Sequence, residues 1–228
     1  MDLLESMRSV LAPPHKAGYP FILGGVVVAL LGLILWHVLA WAGLIFTLFC
    51  LYFFRDPDRV EPPRTNVLLA PADGLVVSIE PAIPPAELGL DGMPRMRVAI
   101  FLSVLDVHVN RAPAAATVER IAYHPGKFFN AAESKASDEN ERNSLLLRLP
   151  GGRELVVVQI AGLIARRILC NVTQGQALVA GERIGIIRFG SRTDLYLPEG
   201  CAPLVSVGQR MIGGESVIAE LNPAASAA

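Results

Sequence analysis

Thirty-four consecutive residues, Phe21 to Phe54, contain no Asp, Glu, Lys or Arg. The run exceeds the roughly 20 apolar residues that one transmembrane helix needs and would just supply two arms of about 17. Basic residues flank it on both sides, with Arg8 and Lys16 before it and Arg55, Arg59 and Arg64 after it. Positive flanks stay cytoplasmic, so both ends are expected on one side of a bilayer, which calls for an even number of crossings or a segment that enters and returns. Trp36, His37 and Trp41 lie near the midpoint, where a hairpin brings them to the far interface, while Tyr19 and Tyr52 fall at the near one. The midpoint carries no strong turn signal, so a single long, tilted helix is the alternative. Ala40-Trp41-Ala42 has the small-x-small form of a signal-peptidase site, but cutting there would leave Gly43 to Phe54 as an exposed apolar terminus. Upstream, Met1 to Leu11 has apolar residues at helical spacing and reads as a helix on the membrane surface or a frayed terminal helix.

The chain's 20 Lys+Arg and 21 Asp+Glu all fall in the other 194 of its 228 residues, which makes that remainder an ordinary globular composition. With 52% hydrophobic residues and a mean hydropathy of +0.45, disorder is excluded. A net charge of −1 lacks the electrostatic footprint of a nucleic-acid binder. Cys50, Cys170 and Cys201 are far apart and form no C-x-x-C step, so neither a disulfide framework nor a zinc site is expected and a reducing compartment fits.

Beyond Phe54 the apolar residues come in short runs broken by Gly and Pro: 75–79, 96–102, 144–149, 154–160, 184–189 and 194–197. That spacing predicts a mainly β (α+β) chain, a β-rich domain behind an N-terminal apolar helical anchor. The division expected is a surface helix over 1–18, the membrane segment over 19–54 and the β-rich domain over 55–228. Arg55 to Pro63 reads as the linker between the last two, Pro81 to Pro94 as a loop, and Glu133 to Asn143 as a polar helix or loop.

The catalytic inventory of the β-rich part is small. It holds two histidines, His108 and His124, and has no H-E-x-x-H, Walker loop, dinucleotide-binding glycine fingerprint or G-x-S-x-G elbow, and no metal site is expected. Pro71-Ala72-Asp73-Gly74 puts a carboxylate in a turn before a strand, where Asp-Gly is most often a turn signal only. Strand alternation over Leu105 to Pro113 would place Asp106, His108 and Asn110 on one face. Gly190-Ser191 lies between two expected strands; it reads first as a turn, but a glycine before a serine lets the hydroxyl approach the preceding carbonyl.

These residues, with Phe53-Phe54-Arg55-Asp56-Pro57, Asp106-Val107-His108-Val109-Asn110-Arg111-Ala112-Pro113, Pro125-Gly126-Lys127-Phe128, Asn140-Glu141-Arg142-Asn143, Gln159-Ile160-Ala161-Gly162, Ala165-Arg166-Arg167-Ile168 and Phe189-Gly190-Ser191-Arg192, occur in an order that resembles the phosphatidylserine decarboxylases, in particular their short membrane-associated subclass. The resemblance spans residues 53 to 192. It implies a proenzyme that cuts itself between Gly190 and Ser191 into chains 1–190 and 191–228, and a pyruvoyl cofactor derived from Ser191. It further implies that this ketone forms a Schiff base with the amine of phosphatidylserine and, with loss of carbon dioxide, gives phosphatidylethanolamine. On the same ground Asp73 matches the aspartate of the self-cleavage triad and His108 a histidine that assists decarboxylation. Arg111 stands where the long-form motif has its second histidine, which leaves the base for self-cleavage open between His108 and Asp73.

Lys127, Arg142 and Asn143, joined by Arg111, are the candidates for binding the lipid phosphate or carboxylate, since such anions call for fixed cations and amides. The partners implied are phosphatidylserine in the membrane and the two fragments as a heterodimer, with no nucleic acid and a homo-oligomer left open; the location implied is the cytoplasmic face of the cell membrane. Two other readings compete: a pyruvoyl-dependent decarboxylase of a soluble amino acid, against which the 34-residue apolar run argues, and a membrane-anchored β domain that only binds a partner.

Overall fold

In the computed structural model, the described residues are 12–126, 140–162, 167–188 and 190–221. They fall into two compact units that meet in sequence at Asp58–Arg59.

In the first unit the apolar run folds as a helical hairpin. One helix covers Tyr19–Leu35 and a second covers His37–Phe53, with Trp36 alone in extended backbone between them at φ −167° and ψ 120°. The reversal therefore needs a single residue and no Gly-Pro turn, which is why no turn signal marks it. At the open end, the His15 N–H donates to the Phe54 carbonyl at 2.6 Å and the Asp56 N–H to the Pro13 carbonyl at 2.8 Å, so both ends of the run lie together. Small residues line the seam. A Cβ added at Gly32 would come within 2.1 Å of the Ala40 nitrogen, and one at Gly43 within 2.4 Å of the Ala29 nitrogen, so the two backbones touch there. Leucines, valines and isoleucines point outward all round, up to 83% exposed at Ile34. Ala40 is buried inside the second helix, so the Ala40-Trp41-Ala42 step is a piece of helix packing.

Among the described residues the second unit holds thirteen strands: β1 (Val67–Leu69), β2 (Gly74–Ala82), β3 (Arg95–Leu102), β4 (Val109–Arg111), β5 (Ala116–His124), β6 (Arg142–Arg148), β7 (Glu154–Ala161), β8 (Ile168–Cys170), β9 (Ala177–Leu178), β10 (Arg183–Ile187), β11 (Ser191–Tyr196), β12 (Arg210–Met211) and β13 (Val217–Glu220). Eight of them form one antiparallel sheet in the order β12-β2-β3-β11-β7-β6-β5-β9; β4-β10-β8 and β1-β13 make two smaller ones. Five of the six expected runs fall on β2, β3, β6, β7 and β11, and the sixth, 184–189, on β10 and the residues that follow it. β5 escapes the sequence pattern because its register shifts between Val118 and Arg120, and a bulge there breaks the period-2 alternation. Of the polar stretch 133–143, Arg142 and Asn143 open β6, and Asn140 and Glu141 are buried; the rest lies outside the described residues.

The core sits on one face of the large sheet, where Val76, Val98, Ile100, Leu145, Leu147, Leu155, Val157 and Leu195 pack against Leu68, Ile184 and Ile218 of the smaller sheets. β11 lies at the centre of the large sheet, paired along its whole length with β3 on one side and β7 on the other. Successive side chains alternate between faces, so Ser191 and Thr193 point to the core side with Leu195, while Arg192, Asp194 and Tyr196 point to the other.

Candidate active site

The Gly190–Ser191 step lies where the central strand begins. Ser191 is the first residue of β11, opposite Leu102 of β3 and Ala161 of β7. Its hydroxyl oxygen is buried and has no hydrogen-bond partner among the described residues. A buried hydroxyl without a partner is disfavoured by about 1–3 kcal/mol, which sets this one apart from an ordinary strand serine. Gly190 precedes it at φ +71°, a left-handed conformation that turns the chain off the ladder and that residues with a Cβ adopt only with strain.

The glycine before the serine is gripped at both of its main-chain polar groups. The Gly190 N–H donates to His108 Nε2 at 3.2 Å. The Gly190 carbonyl accepts the Gly162 N–H at 3.1 Å. His108 is fully buried, and its Nδ1 lies 2.9 Å from the Asp106 carbonyl oxygen. A carbonyl can only accept, so Nδ1 carries the proton and Nε2 presents its lone pair to Gly190.

The expectation that Asp106, His108 and Asn110 share one face does not hold. β4 begins only at Val109, and Asp106 instead closes the turn before it. Its carboxylate accepts the Ser103 N–H at 2.9 Å and the Ser103 hydroxyl at 2.7 Å, and it pairs with Arg210 at 2.9 Å. Burial works to raise its pKa, but these bonds from Ser103 and Arg210 outweigh it and hold the carboxyl below the usual range.

Asp73 lies at the same end of the sheet. The register places Gly74 across β3 from Ser191, roughly 10 Å away at the usual spacing between strands. Its carboxylate is held by Arg59 at 2.6 Å and by the Gly213 N–H at 2.8 Å. Burial raises its proton affinity by more than Arg59 and that N–H lower it, and Asp106 adds to the rise. Arg111 is beside it. Its N–H donates to the Pro71 carbonyl and its guanidinium to the Gly181 carbonyl at 2.9 Å, while a Cβ on Gly214 would meet both Arg111 Cδ and Arg59 Cβ. A guanidinium stays protonated, so Arg111 cannot serve as a base.

Asn143 and Arg142 separate to opposite faces. Asn143 shares the Ser191 face and donates to the Gln159 side-chain oxygen at 3.0 Å. Gln159 donates to Asn110 at 2.7 Å, and Asn110 to the Thr193 hydroxyl at 3.1 Å. This buried polar chain runs across β6, β7 and β11 one step inward from Ser191. Arg142 points the other way, where Glu87 holds it at 2.8 and 3.2 Å. On that same far face, Arg192 pairs with Asp194 at 2.6 and 2.8 Å, and Arg97 bridges Asp194 to Glu80. Lys127 lies outside the described residues.

Sequence reasoning named Gly190, Ser191, His108 and Asn143, which the sheet gathers at one end, but it missed Gly162, Gln159, Thr193 and Arg59 as participants. A signal existed for Gln159, a lone amide in the apolar run Leu155 to Ala161. Gly162 closes the matching segment Gln159-Ile160-Ala161-Gly162, but its part is played by its main chain, which residue type does not display. No group of three or more His, Cys, Asp or Glu that could hold a metal ion occurs among the described residues.

A family model described as phosphatidylserine decarboxylase matches residues 46–219. A phosphatidylserine decarboxylase proenzyme of Granulibacter bethesdensis is 65% identical over 98% of this chain and 91% of its own length. Proenzymes of the same name from Gluconacetobacter diazotrophicus and Cereibacter sphaeroides are 60% and 53% identical, over 97% and 96% of this chain and 100% and 94% of their own lengths. With the match extending from the apolar helices to β13, the chain belongs to the phosphatidylserine decarboxylase family.

Proposed function

We propose that this chain is a proenzyme that cuts itself between Gly190 and Ser191 and then decarboxylates phosphatidylserine to phosphatidylethanolamine. The observation that carries the reading is the buried, unpartnered Ser191 hydroxyl directly after a glycine of positive φ whose main-chain N–H and carbonyl are both held. Ser191 Oγ attacks the Gly190 carbonyl carbon, the C–N bond breaks, and the Ser191 nitrogen takes up a proton, leaving an ester. Loss of the Ser191 α-proton then eliminates Gly190 as a carboxylate, and one water hydrolyses the dehydroalanine, releasing ammonia.

The site fits the pyruvoyl group that results. Position 191 is enclosed between two strands, and its hydroxyl already occupies a buried place without a competing donor. That group supplies the electron sink on which the substrate's carboxyl is lost.

The protein's own side chains do the rest. Asp73 is the carboxylate we assign to self-cleavage, because its burial favours taking up a proton. Its two-strand separation from Ser191 means that it acts through an intervening proton carrier. His108 is assigned to the decarboxylation step. Once the bond after Gly190 is cut and that chain end withdraws, the Nε2 lone pair is released and can hold the proton that the α-carbon needs. Arg111 and Asn143 are the proposed contacts to the headgroup's anionic groups. Arg142, committed to Glu87 on the opposite face, braces β6.

The apolar hairpin supports a membrane location on the cytoplasmic side. With the 3₁₀ turn Lys16–Gly18 that leads into it, the first helix makes a continuous helical stretch Lys16–Leu35 long and apolar enough to cross a bilayer; the second, His37–Phe53, is shorter than that stretch. Both ends of the hairpin lie together, so it would enter and leave on the same face, with Trp36 and Trp41 at its tip. A lipid substrate gives this anchor a purpose that a soluble amino acid does not.

Intact mass under denaturing conditions tests the reading. Two fragments split after Gly190 are expected, the smaller blocked to N-terminal sequencing; a single uncut wild-type chain would overturn it. Asp73→Asn is expected to slow cutting by about a hundredfold or more, whereas His108→Ala should still cut but release no carbon dioxide from phosphatidylserine.

A further inference from the structure

Attack on the Gly190 carbonyl drives its electron pair onto the oxygen, and something must hold that charge until the C–N bond breaks. The Gly162 N–H, 3.1 Å from this oxygen, is the donor in place before the reaction begins. The peptide unit that carries it, the Ala161 carbonyl joined to the Gly162 nitrogen, is fixed from the far side. Asn140 is fully buried, and its Nδ2 donates to the Ala161 oxygen at 2.8 Å. The neighbouring Ala161 N–H donates to the Glu141 carbonyl at 2.9 Å. A hydrogen bond to the carbonyl of a peptide polarises the whole unit and makes its N–H a stronger donor.

We propose that the Ala161–Gly162 peptide is the oxyanion donor for self-cleavage, and that Asn140 is the positioning residue that fixes and polarises it. This deepens the self-cleaving reading of the site and rests on it. In balance, the Ser191 Oγ–C bond forms as the carbonyl π pair moves onto oxygen, where the Gly162 N–H meets it. The Oγ proton, drawn off toward Asp73 as the bond forms, is returned to the Ser191 nitrogen as the alkoxide collapses, expels that nitrogen as an amine and restores the carbonyl as an ester. The arrangement also explains why the donor follows the last residue of β7. In the β7/β11 register Gly162 stands opposite Gly190, at the point where the positive φ of Gly190 turns the chain away and leaves the reacting carbonyl aimed at a single N–H.

The test replaces the Gly162 nitrogen by oxygen, using the α-hydroxy acid at that position, which deletes the N–H and keeps the shape. Losing one oxyanion donor is expected to slow appearance of the two fragments by about 10²–10³-fold. The same nitrogen-to-oxygen exchange at Gly92, in the loop before β3 and at the opposite end of that strand from Ser191, should cut at the wild-type rate. Equal rates for the Gly162 ester and the wild type would overturn the proposal, as would a Gly92 ester as slow as the Gly162 ester. Wild-type protein that does not cut after Gly190 would instead overturn the self-cleaving reading itself.

The Asn140 role is read without relying on cutting. Ser191→Ala creates the only Gly-Ala step in the sequence, so ¹³C-labelled Gly with ¹⁵N-labelled Ala isolates the Gly190 carbonyl resonance. Adding Asn140→Asp, which is isosteric but lacks the donor, should move that resonance upfield, and an unchanged resonance with the fold intact would remove Asn140 from the mechanism.

Discussion

Gly190 is held at φ +71°, and among the described residues beyond its chain neighbours no atom lies within 4 Å of where a Cβ would go, so its conformation is the constraint. Gly190→Ala is expected to strain the backbone by about 1–2 kcal/mol, relieved by a local turn of the peptide away from His108 and Gly162. Cutting should slow while the thermal midpoint changes little, as read by fragment appearance and calorimetry on the same preparation. Asp106 supports a second residue-scale prediction. Its pKa is depressed in the folded chain, so the stability it contributes is fully present above the unfolded-state value near 4 and is lost as pH falls through the lower folded one. Asp106→Asn should therefore be less stable than wild type at pH 6, by about 1–2 kcal/mol, with the difference shrinking below pH 4 in denaturant titrations.

At the scale of elements, the hairpin's seam and outer surface respond in opposite ways to the same change. Gly32 and Gly24 lie on one helix, yet a Cβ at Gly32 would meet the Ala40 backbone at 2.1 Å while one at Gly24 meets nothing within 4 Å. Gly32→Ala should push the helices apart and lower the thermal midpoint of detergent-solubilised protein, a cost of about 1–3 kcal/mol. Gly24→Ala should be neutral or stabilising through helix propensity. The polar chain Asn143–Gln159–Asn110–Thr193 makes a comparable point for the sheet. Each amide is legible as a polar residue in a strand, but that they share one face follows only from the pairing of β6, β7 and β11.

At the scale of the whole molecule, the proposed cut falls inside a structure that does not need that bond. The fragment 191–228 contributes β11 to the centre of the large sheet, β12 to its edge beside β2, and β13 to the pair with β1. The Arg97–Asp194 pair also links the two fragments through a buried network. The cut chains should co-elute as one species in size-exclusion chromatography and separate only in denaturant. Dissociation under native conditions would contradict the heterodimer.

Much of this protein is legible along the chain. The uncharged run, its helical character and most of the long strands follow from hydropathy and its period, because burial in lipid or in a sheet core selects residue types locally, while a hairpin and a single long helix both stayed open. Gly190-Ser191, His108 and Asp73 could be picked out by residue type and by resemblance. The reversal at Trp36, the bulge that conceals β5, the separation of Arg142 from Asn143 and the salt bridge that engages Asp73 were settled by tertiary structure. So was the Gly162 donor, which has no side chain for a sequence to display. Contacts between strands far apart in the chain depend on register, and register is fixed by the pairing of whole strands and not by any one residue type.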